Sequence, residues 1–275
     1  MIKVLIIGKK SFIGSNLYSF LKKKLSVKII SFKDSKKKKT NFFKKYTHLI
    51  NCSIHPNYTK YKYKNKFDND LKIVNKIKNT EIKYIFLSSR KIYKAKYNIK
   101  ENGIINPISN YSKNKLITEK KLRFILNKKV LILRISNIIG LPIQNNKRKV
   151  HSIFIDHFFD SVNKGIIFDN NMNFKDFISI QMFSEIMFFS IKKDITGIYN
   201  CSIGKKIYLN KIVGWLNYYN KNKCEIIKPK KNLGNKDNFT LNNSKIMKIM
   251  SFKYSINDLE KYCKKISKIY FRRKI

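Results

Sequence analysis

The chain opens Met1-Ile2-Lys3-Val4-Leu5-Ile6-Ile7-Gly8-Lys9-Lys10-Ser11-Phe12-Ile13-Gly14, and the reading of this stretch decides the fold. Val4–Ile7 is an unbroken apolar run, the pattern of a strand covered on both faces. Gly8 ends it, and from Ser15 to Leu25 the apolar Leu17, Phe20, Leu21 and Leu25 recur on one helical face. A turn bounded by glycines between a buried strand and a helix suits a dinucleotide pyrophosphate. That group needs a tight turn, close backbone approach, and the N–H groups and positive end of a helix. Gly8 and Gly14 take the outer positions of a Gly-x-x-Gly-x-x-Gly loop. Ser11 stands at the middle one, small enough to keep the approach open, and Phe12 and Ile13 complete the turn. An ordinary tight turn is the duller reading; the strand–helix junction favours the cofactor.

Outward from this stretch the pattern repeats. Val27–Ile30, His48–Cys52, Tyr84–Ser88 and Val130–Ser136 read as buried strands, and Tyr111–Leu126 as an amphipathic helix. Strand–helix alternation predicts an α/β fold, a doubly wound parallel sheet with helices on both faces. Beyond Gly140 the alternation fails. A polar loop over Leu141–Lys149 precedes a Phe-rich stretch, strands at Phe177–Ile180 and Ile198–Cys201, and helices at Leu209–Tyr219 and Ile256–Ile269. Ser255 and Asp258 form a capping pair for the last helix. The expected organisation is a dinucleotide-binding domain over 1–150, with 176–203 returning to it. A small cap is built from 151–175 and 204–275.

The 275 residues hold 61 Lys and Arg against 16 Asp and Glu, a net charge of +45. That excess suits a nucleic-acid partner or peripheral attachment to an anionic membrane. However, Lys, Asn, Ile, Tyr and Phe are abundant together, all with A/T-rich codons, and the lysines run along the whole chain without a basic arm. Codon drift explains this better, so nucleic acid is not the expected partner, while membrane attachment stays compatible. Cys52, Cys201, Cys224 and Cys263 form no Cys-x-x-Cys and no spacing with His suited to a metal, so no metal site is expected. No apolar run reaches the roughly 18 residues of a membrane span. The apolar start is too short for a signal peptide, and a cytoplasmic protein is expected.

The end of the second strand should choose the cofactor. An acidic side chain there holds the ribose hydroxyls of NAD. Ser31 stands at that place with Lys33 close by, which favours NADP over NAD, although Asp34 lies within reach. Farther on, Tyr111 and Lys115 share a helix face. A lysine cation ~4–5 Å from a phenol, at an effective dielectric of about 20, favours phenolate by roughly 3–4 kcal/mol, enough to poise a tyrosine as proton acceptor or donor. Five Tyr-x-x-x-Lys matches occur where chance gives about three, so position must decide. Tyr111 follows a buried strand that ends in Ser88 and Ser89, at the edge where such sheets bind ligands, and Leu133-Arg134-Ile135-Ser136-Asn137 ends the next strand there. Ser89 also reads as a strand-end cap and Asn137 as a backbone-bracing amide. His48, His55, His151 and His157 read as structural or surface residues, and Trp215 as core.

These segments together resemble the extended short-chain dehydrogenase/reductases of the NAD-dependent epimerase/dehydratase type, which act on nucleotide sugars. The likeness runs nearly end to end. It takes in the Gly8–Gly14 loop, Asn51-Cys52-Ser53, Asn65 before a helix, and Leu87-Ser88-Ser89-Arg90-Lys91-Ile92-Tyr93. Tyr111 with Lys115, Leu133-Arg134-x-x-Asn137, Lys175-Asp176-Phe177-Ile178 and Gly197-Ile198-Tyr199-Asn200 follow in order. The resemblance implies a Rossmann-type sheet with a small C-terminal α/β substrate-binding cap. It implies Tyr111 as acid/base, Lys115 on the nicotinamide ribose, and Ser89 on the reacting oxygen. Cys52, Ser53, Asn65 and Ser136 would lie at the cofactor, and Asn137 and Lys175 at the substrate. Lys175 stands where the family often has an Arg on the nucleotide diphosphate. Family dehydratases carry Asp-Glu after the catalytic hydroxyl residue; Arg90-Lys91 stand there, which disfavours 4,6-dehydration. A 4-epimerase or a keto-sugar reductase is the expectation, compatible with a homodimer. A non-catalytic dinucleotide sensor or nucleic-acid binder of the same fold is the alternative.

Overall fold

A computed structural model describes residues 1–143, 154–168, 173–222, 224–227, 237–250 and 253–272. Of the expected polar loop, 144–149 lie outside the described residues, as does His151. Strands β1 (Lys3–Ile7), β2 (Ser26–Ile30), β3 (His48–Asn51), β4 (Lys83–Ser89) and β5 (Val130–Ile135) follow the apolar runs within a residue or two. The helices between them are α1 (Phe12–Leu21), α2 (Phe32–Lys37), α3 (Thr40–Phe43), α4 (Pro56–Lys60), α5 (Asn69–Ile77) and α6 (Asn110–Leu126).

The second half holds β6 (Asn137–Ile139), α7 (Phe154–Asn163), β7 (Ile166–Phe168), β8 (Phe174–Lys175), β9 (Phe177–Ser179) and α8 (Ile180–Lys192). It continues with β10 (Gly197–Cys201), β11 (Ile207–Tyr208), α9 (Leu209–Asn217), β12 (Glu225–Ile227), α10 (Ser244–Met247) and α11 (Ile256–Arg272). The Phe-rich stretch is therefore a helix, α7, with Ile155, Phe158, Phe159 and Val162 on its buried side.

Six strands form one parallel sheet in the order β10-β5-β4-β3-β1-β2. It is a doubly wound, Rossmann-type sheet. Side chains alternate between two buried faces, as the strand period of two requires. Val4, Ile6, Ile50, Ile85, Leu87, Leu131 and Leu133 pack with α1 and α8. Leu5, Ile7, Leu49, Tyr84, Phe86, Val130 and Ile132 pack with α5 and α6. Strand β9 pairs with β6 outside this sheet, whereas β10 returns to its edge beside β5. Ser255 and Asp258 do cap α11, exchanging bonds at 2.8 and 3.2 Å.

The chain order reverses between β1 and β3. The carboxyl ends of strands around such a reversal border the crevice where ligands of these sheets bind. Register brings Ile7 level with Ile30 and Asn51, and Ser89 level with Ile135.

Candidate active site

The first turn beyond β1 is built for close approach. Gly8 holds φ at +121°, a conformation that side chains rarely adopt, and its N–H donates to Ile30 O at 2.8 Å. A Cβ on Gly14 would lie 2.6 Å from Gly8 O and 3.2 Å from Cys52 Cβ, so only glycine lets α1 enter here. Ser11, the sequence's replacement for a middle glycine, accepts from Gly14 N at 2.8 Å and caps α1. Phe12 and Ile13 form the first helical turn, whose positive end faces this crevice. Burial drives the Cys52 thiol well above its usual range; its part here is to pack against the glycines.

A buried polar chain fixes the loop after β3. Tyr84 Oη and Asn51 Nδ2 both donate to Asp70 Oδ1, at 2.7 and 2.9 Å. Asn51 Oδ1 accepts from Ser53 N at 3.0 Å and from Ser53 Oγ at 2.6 Å, and Asn69 Nδ2 donates to Ser53 Oγ at 3.3 Å. Burial pushes the Asp70 carboxyl up to about 6, against the pull of the Lys115 cation. Asn65, expected at the cofactor, is exposed and accepts from Lys121 Nζ at 2.9 Å. Asn69, four residues later at the start of α5, faces Ser53 instead. Asp68-Asn69-Asp70 escaped the sequence reading because three polar residues at a helix start read as capping. The polar pairing of Asp70 with Asn51 and of Asn69 with Ser53, unseen in one dimension, joins this helix start to the loop after β3.

Ser31 stands directly after β2, at its tip. It caps α2, accepting from Asp34 N at 3.1 Å and donating to Asp34 Oδ2 at 2.6 Å. That hydrogen bond draws the exposed Asp34 carboxyl below its usual range, and Lys33 points to solvent on the same short helix. An acid therefore does stand at the tip of β2.

Tyr111 and Lys115 occupy the first turns of α6, which Ser109 caps by accepting from Ser112 N. Lys115 is buried, and its Nζ donates to Leu87 O at 2.7 Å while lying 6.0 Å from the centroid of the Tyr111 ring. Its cation also faces Phe86 at 4.4 Å. Two residues beyond Leu87, Ser89 Oγ accepts from Lys91 N at 3.2 Å, the capping role weighed for it, which leaves its own proton to donate. Ser88 turns inward to Glu119. The helix start bearing Tyr111 thus adjoins the end of β4 through one lysine.

At the next strand end, Ser136 N donates to Cys201 O at 3.0 Å while its buried Oγ has no partner among the described residues. Asn69 Oδ1 is likewise buried and unpaired. Two orphaned oxygens at this edge, beside a turn only glycines fit, are what a bound dinucleotide would complete. Asn137 Nδ2 donates to Asp176 O at 3.2 Å, a bracing contact. Lys175 Nζ reaches Asp237 Oδ2 at 2.6 Å, and Arg90 forks onto the same carboxylate at 2.5 and 2.7 Å. The hydrogen bonds from Arg90 and Lys175 outweigh burial and hold Asp237 far below the usual carboxylate range. His48, read as a structural or surface residue, is buried against Asp194 at 3.1 Å. No cluster of three metal-ligating side chains exists among the described residues, and no helix among them is long and apolar enough to cross a membrane.

The sequence profile of the NAD dependent epimerase/dehydratase family matches residues 4–202. No curated protein matches the chain. Among solved structures, the UDP-N-acetylglucosamine 4-epimerase of Methanobrevibacter ruminantium M1, in complex with UDP-N-acetylmuramic acid, is 20% identical. It superposes with a TM-score of 0.79, with 98% of each chain covered. The UDP-glucose-4-epimerase of Stenotrophomonas maltophila, with bound NAD and formylated UDP-arabinopyranose, is 11% identical with a TM-score of 0.77, covering 99% of this chain and 100% of that one. The dTDP-glucose 4,6-dehydratase of Bacillus anthracis, in complex with NAD, is 16% identical with a TM-score of 0.73, covering 99% and 97%.

Proposed function

The chain belongs to the NAD-dependent epimerase/dehydratase family, and on that premise we propose that it is an epimerase or keto-reductase acting on one carbon of a nucleotide-linked sugar. The observation that carries this reading is the Lys115 bridge, which joins the helix turn bearing Tyr111 to the strand end bearing Ser89. NAD, when bound, supplies and receives the hydride. Gly8 and Gly14 would admit its pyrophosphate at the start of α1, and Asn69, Ser53 and Ser136 are the further residues that would hold it. Asp34, beside Ser31, would accept from the ribose hydroxyls and repel a 2′-phosphate, which favours NAD over NADP.

In this reading Tyr111 moves the proton at the sugar oxygen, Ser89 donates to that same oxygen, and Lys115 keeps a positive charge beside both. Elimination of water needs an acid and a base at the positions after Ser89. Arg90 is locked onto Asp237 and Lys91 brings no carboxylate, so 4,6-dehydration is disfavoured. The solved 4,6-dehydratase shares the fold but not thereby the residues.

The test incubates purified protein with NADH or NADPH and a panel of UDP- and dTDP-sugars and their 4-keto forms. Oxidation of NADH with a keto-sugar identifies a reductase; a stereoisomer formed with cofactor unchanged identifies an epimerase. Binding of NADPH as tight as that of NADH removes the NAD assignment. Loss of water from the sugar overturns the reading of Arg90 and Lys91.

A further inference from the structure

Around the first turn of α6 the surface gathers apolar side chains. Ile108 is 82% exposed, and Ile104, Ile105 and Tyr61 are exposed with it. Five isoleucines are exposed among the described residues, and three of them fall within the five positions 104–108. Drift toward A/T-rich codons scatters isoleucine along a chain; it does not collect the exposed ones in one place. Hydrogen bonds hold the segments that bear these residues together. Asn110 Nδ2 donates to Lys60 O and Asn114 Nδ2 to Tyr61 O, both at 2.8 Å, which seats Tyr61 against the start of α6. Lys94 N donates to Ile104 O and Asn106 N to Ile92 O, both at 2.9 Å, while Tyr93 pairs with Ile105. Ile104 and Ile105 therefore sit on a short antiparallel ribbon that runs through Pro107 into Ile108 and the helix.

Lysines stand on the same segments and free carboxylates do not. Lys60, Lys62, Lys94 and Lys113 are exposed. Over residues 54–66 and 91–113 the one acidic residue is Glu101, whose Oε1 accepts from Asn200 N at 3.0 Å. This combination selects among occupants. A second copy of the chain would bring the lysines against their own kind. Nucleic acid would suit the lysines, but bases stack on aromatic rings and gain nothing from three isoleucines. An anionic bilayer satisfies both halves: isoleucine enters the acyl boundary, tyrosine rests at headgroup level, and lysines near the surface are attracted. We propose that Tyr61, Ile104, Ile105 and Ile108 dock the protein on an anionic membrane surface, turning the first turn of α6, which bears Tyr111, toward the headgroups. None of the four residues takes part in the nucleotide-sugar chemistry, so the docking surface and that reading are independent.

Full-length protein is floated with vesicles of phosphatidylcholine alone and with vesicles holding an equal part of phosphatidylglycerol. A net charge of +45 would carry the chain to the second kind by itself, so the decisive readout is which residues insert. Tryptophan is introduced by Ile108→Trp and, roughly 24 Å away at about 1.5 Å per helical residue, by Phe124→Trp. Phe124 is 90% exposed and follows Lys120, Lys121 and Arg123, so it is an equally cationic control. Trp215 on α9, the parent's single tryptophan, gives the baseline. With brominated acyl chains in the mixed vesicles, Ile108→Trp is expected to lose about half of its added emission and Phe124→Trp none. Ile104→Ser combined with Ile108→Ser keeps every charge and is expected to weaken binding to those vesicles about tenfold. Equal quenching at both positions, or at neither, overturns the docking surface, as does unchanged binding of the double variant. An equal loss of affinity for duplex DNA in that variant also overturns it, reassigning the surface to nucleic acid. A parent dimer in sedimentation equilibrium that the double variant lacks overturns it in favour of a second copy.

Discussion

Lys115 Nζ donates to Leu87 O at 2.7 Å, tying the first turns of α6 to the last residues of β4. The ammonium lies 4.4 Å from the Phe86 ring centroid and 6.0 Å from that of Tyr111, and its charge pulls the Asp70 carboxyl down against burial. Tyrosine and lysine should therefore fail differently. Tyr111→Phe keeps the ring and removes the proton, so turnover is expected to fall about 10²–10⁴-fold with the Kd for NADH within about twofold of the parent. Lys115→Met removes the tether and the charge, and both turnover and NADH affinity are expected to fall. Fluorescence titration with NADH beside a steady-state assay checks both; equal loss of NADH affinity in the two variants contradicts this division of labour.

Glycine positions give an internal contrast. A Cβ at Gly14 meets Gly8 O at 2.6 Å and Ser11 Oγ at 2.7 Å, and the first of these is backbone that cannot move aside. Gly14→Ala is expected to displace the start of α1, lower the thermal midpoint and abolish NADH binding. Gly214, exposed within α9, has nothing within 4 Å of its missing Cβ and has no positive φ. Gly214→Ala should stabilise the protein by about 1 kcal/mol through helix propensity alone. Differential scanning calorimetry of the two variants reads both signs.

The strands were legible because both faces of the sheet are covered, so Val4–Ile7 and Val130–Leu133 are apolar throughout and need no periodicity to be seen. The glycine loop was legible because its spacing is local. What escaped was polar and non-local. Asn65 and Asn69 differ by four residues, and nothing in the chain tells which one turns toward Ser53; the buried Asp70–Asn51 pairing decides it. Asp34 lies three residues past Ser31 in sequence, within reach of the tip of β2, and one turn of helix folds it back onto Ser31. Asp237, 147 residues from Arg90, sits in a Lys- and Asn-rich stretch with no pattern to mark it.

A buried ion pair supports the same strand end from below. Arg134 donates to Glu119 through Nε at 3.2 Å and Nη2 at 2.7 Å, and through Nη1 to Tyr93 Oη at 2.7 Å, while Tyr93 Oη donates to Asn200 Oδ1 at 2.9 Å. Glu119 is 2% exposed, so its charge has no solvent to fall back on. Arg134→Met is expected to cost about 3–5 kcal/mol in urea unfolding, because it strands that carboxylate. Arg134→Met with Glu119→Leu removes both charges and should recover a large part of the loss. A double variant no better than the single one would mean that Tyr93 and Asn200, rather than the unpaired charge, carry the cost.

The Asp176 carboxyl closes the seam between β8, β9 and the C-terminal segment. Its Oδ1 accepts from Gly204 N at 3.2 Å and its Oδ2 from Leu241 N at 2.9 Å. Burial pushes its pKa up to about 7 despite those bonds, against about 3.9 in an unfolded chain. Between these values the folded state binds the proton and the unfolded state does not, so this group favours folding more as pH falls from about 7 toward 4. Asp70, raised to about 6, acts in the same direction; His48, whose pKa burial lowers, acts in the opposite one. A direct measurement of stability against pH mixes all three, whereas the difference between the parent and Asp176→Asn isolates one. Asparagine cannot accept at both oxygens, so the variant is expected to be less stable throughout. Its deficit should widen by about 1.4 kcal/mol per pH unit below pH 7. Urea unfolding of both proteins at pH 8, 7, 6 and 5 measures that slope, and a deficit constant across the series would mean that Asp176 does not titrate in this range.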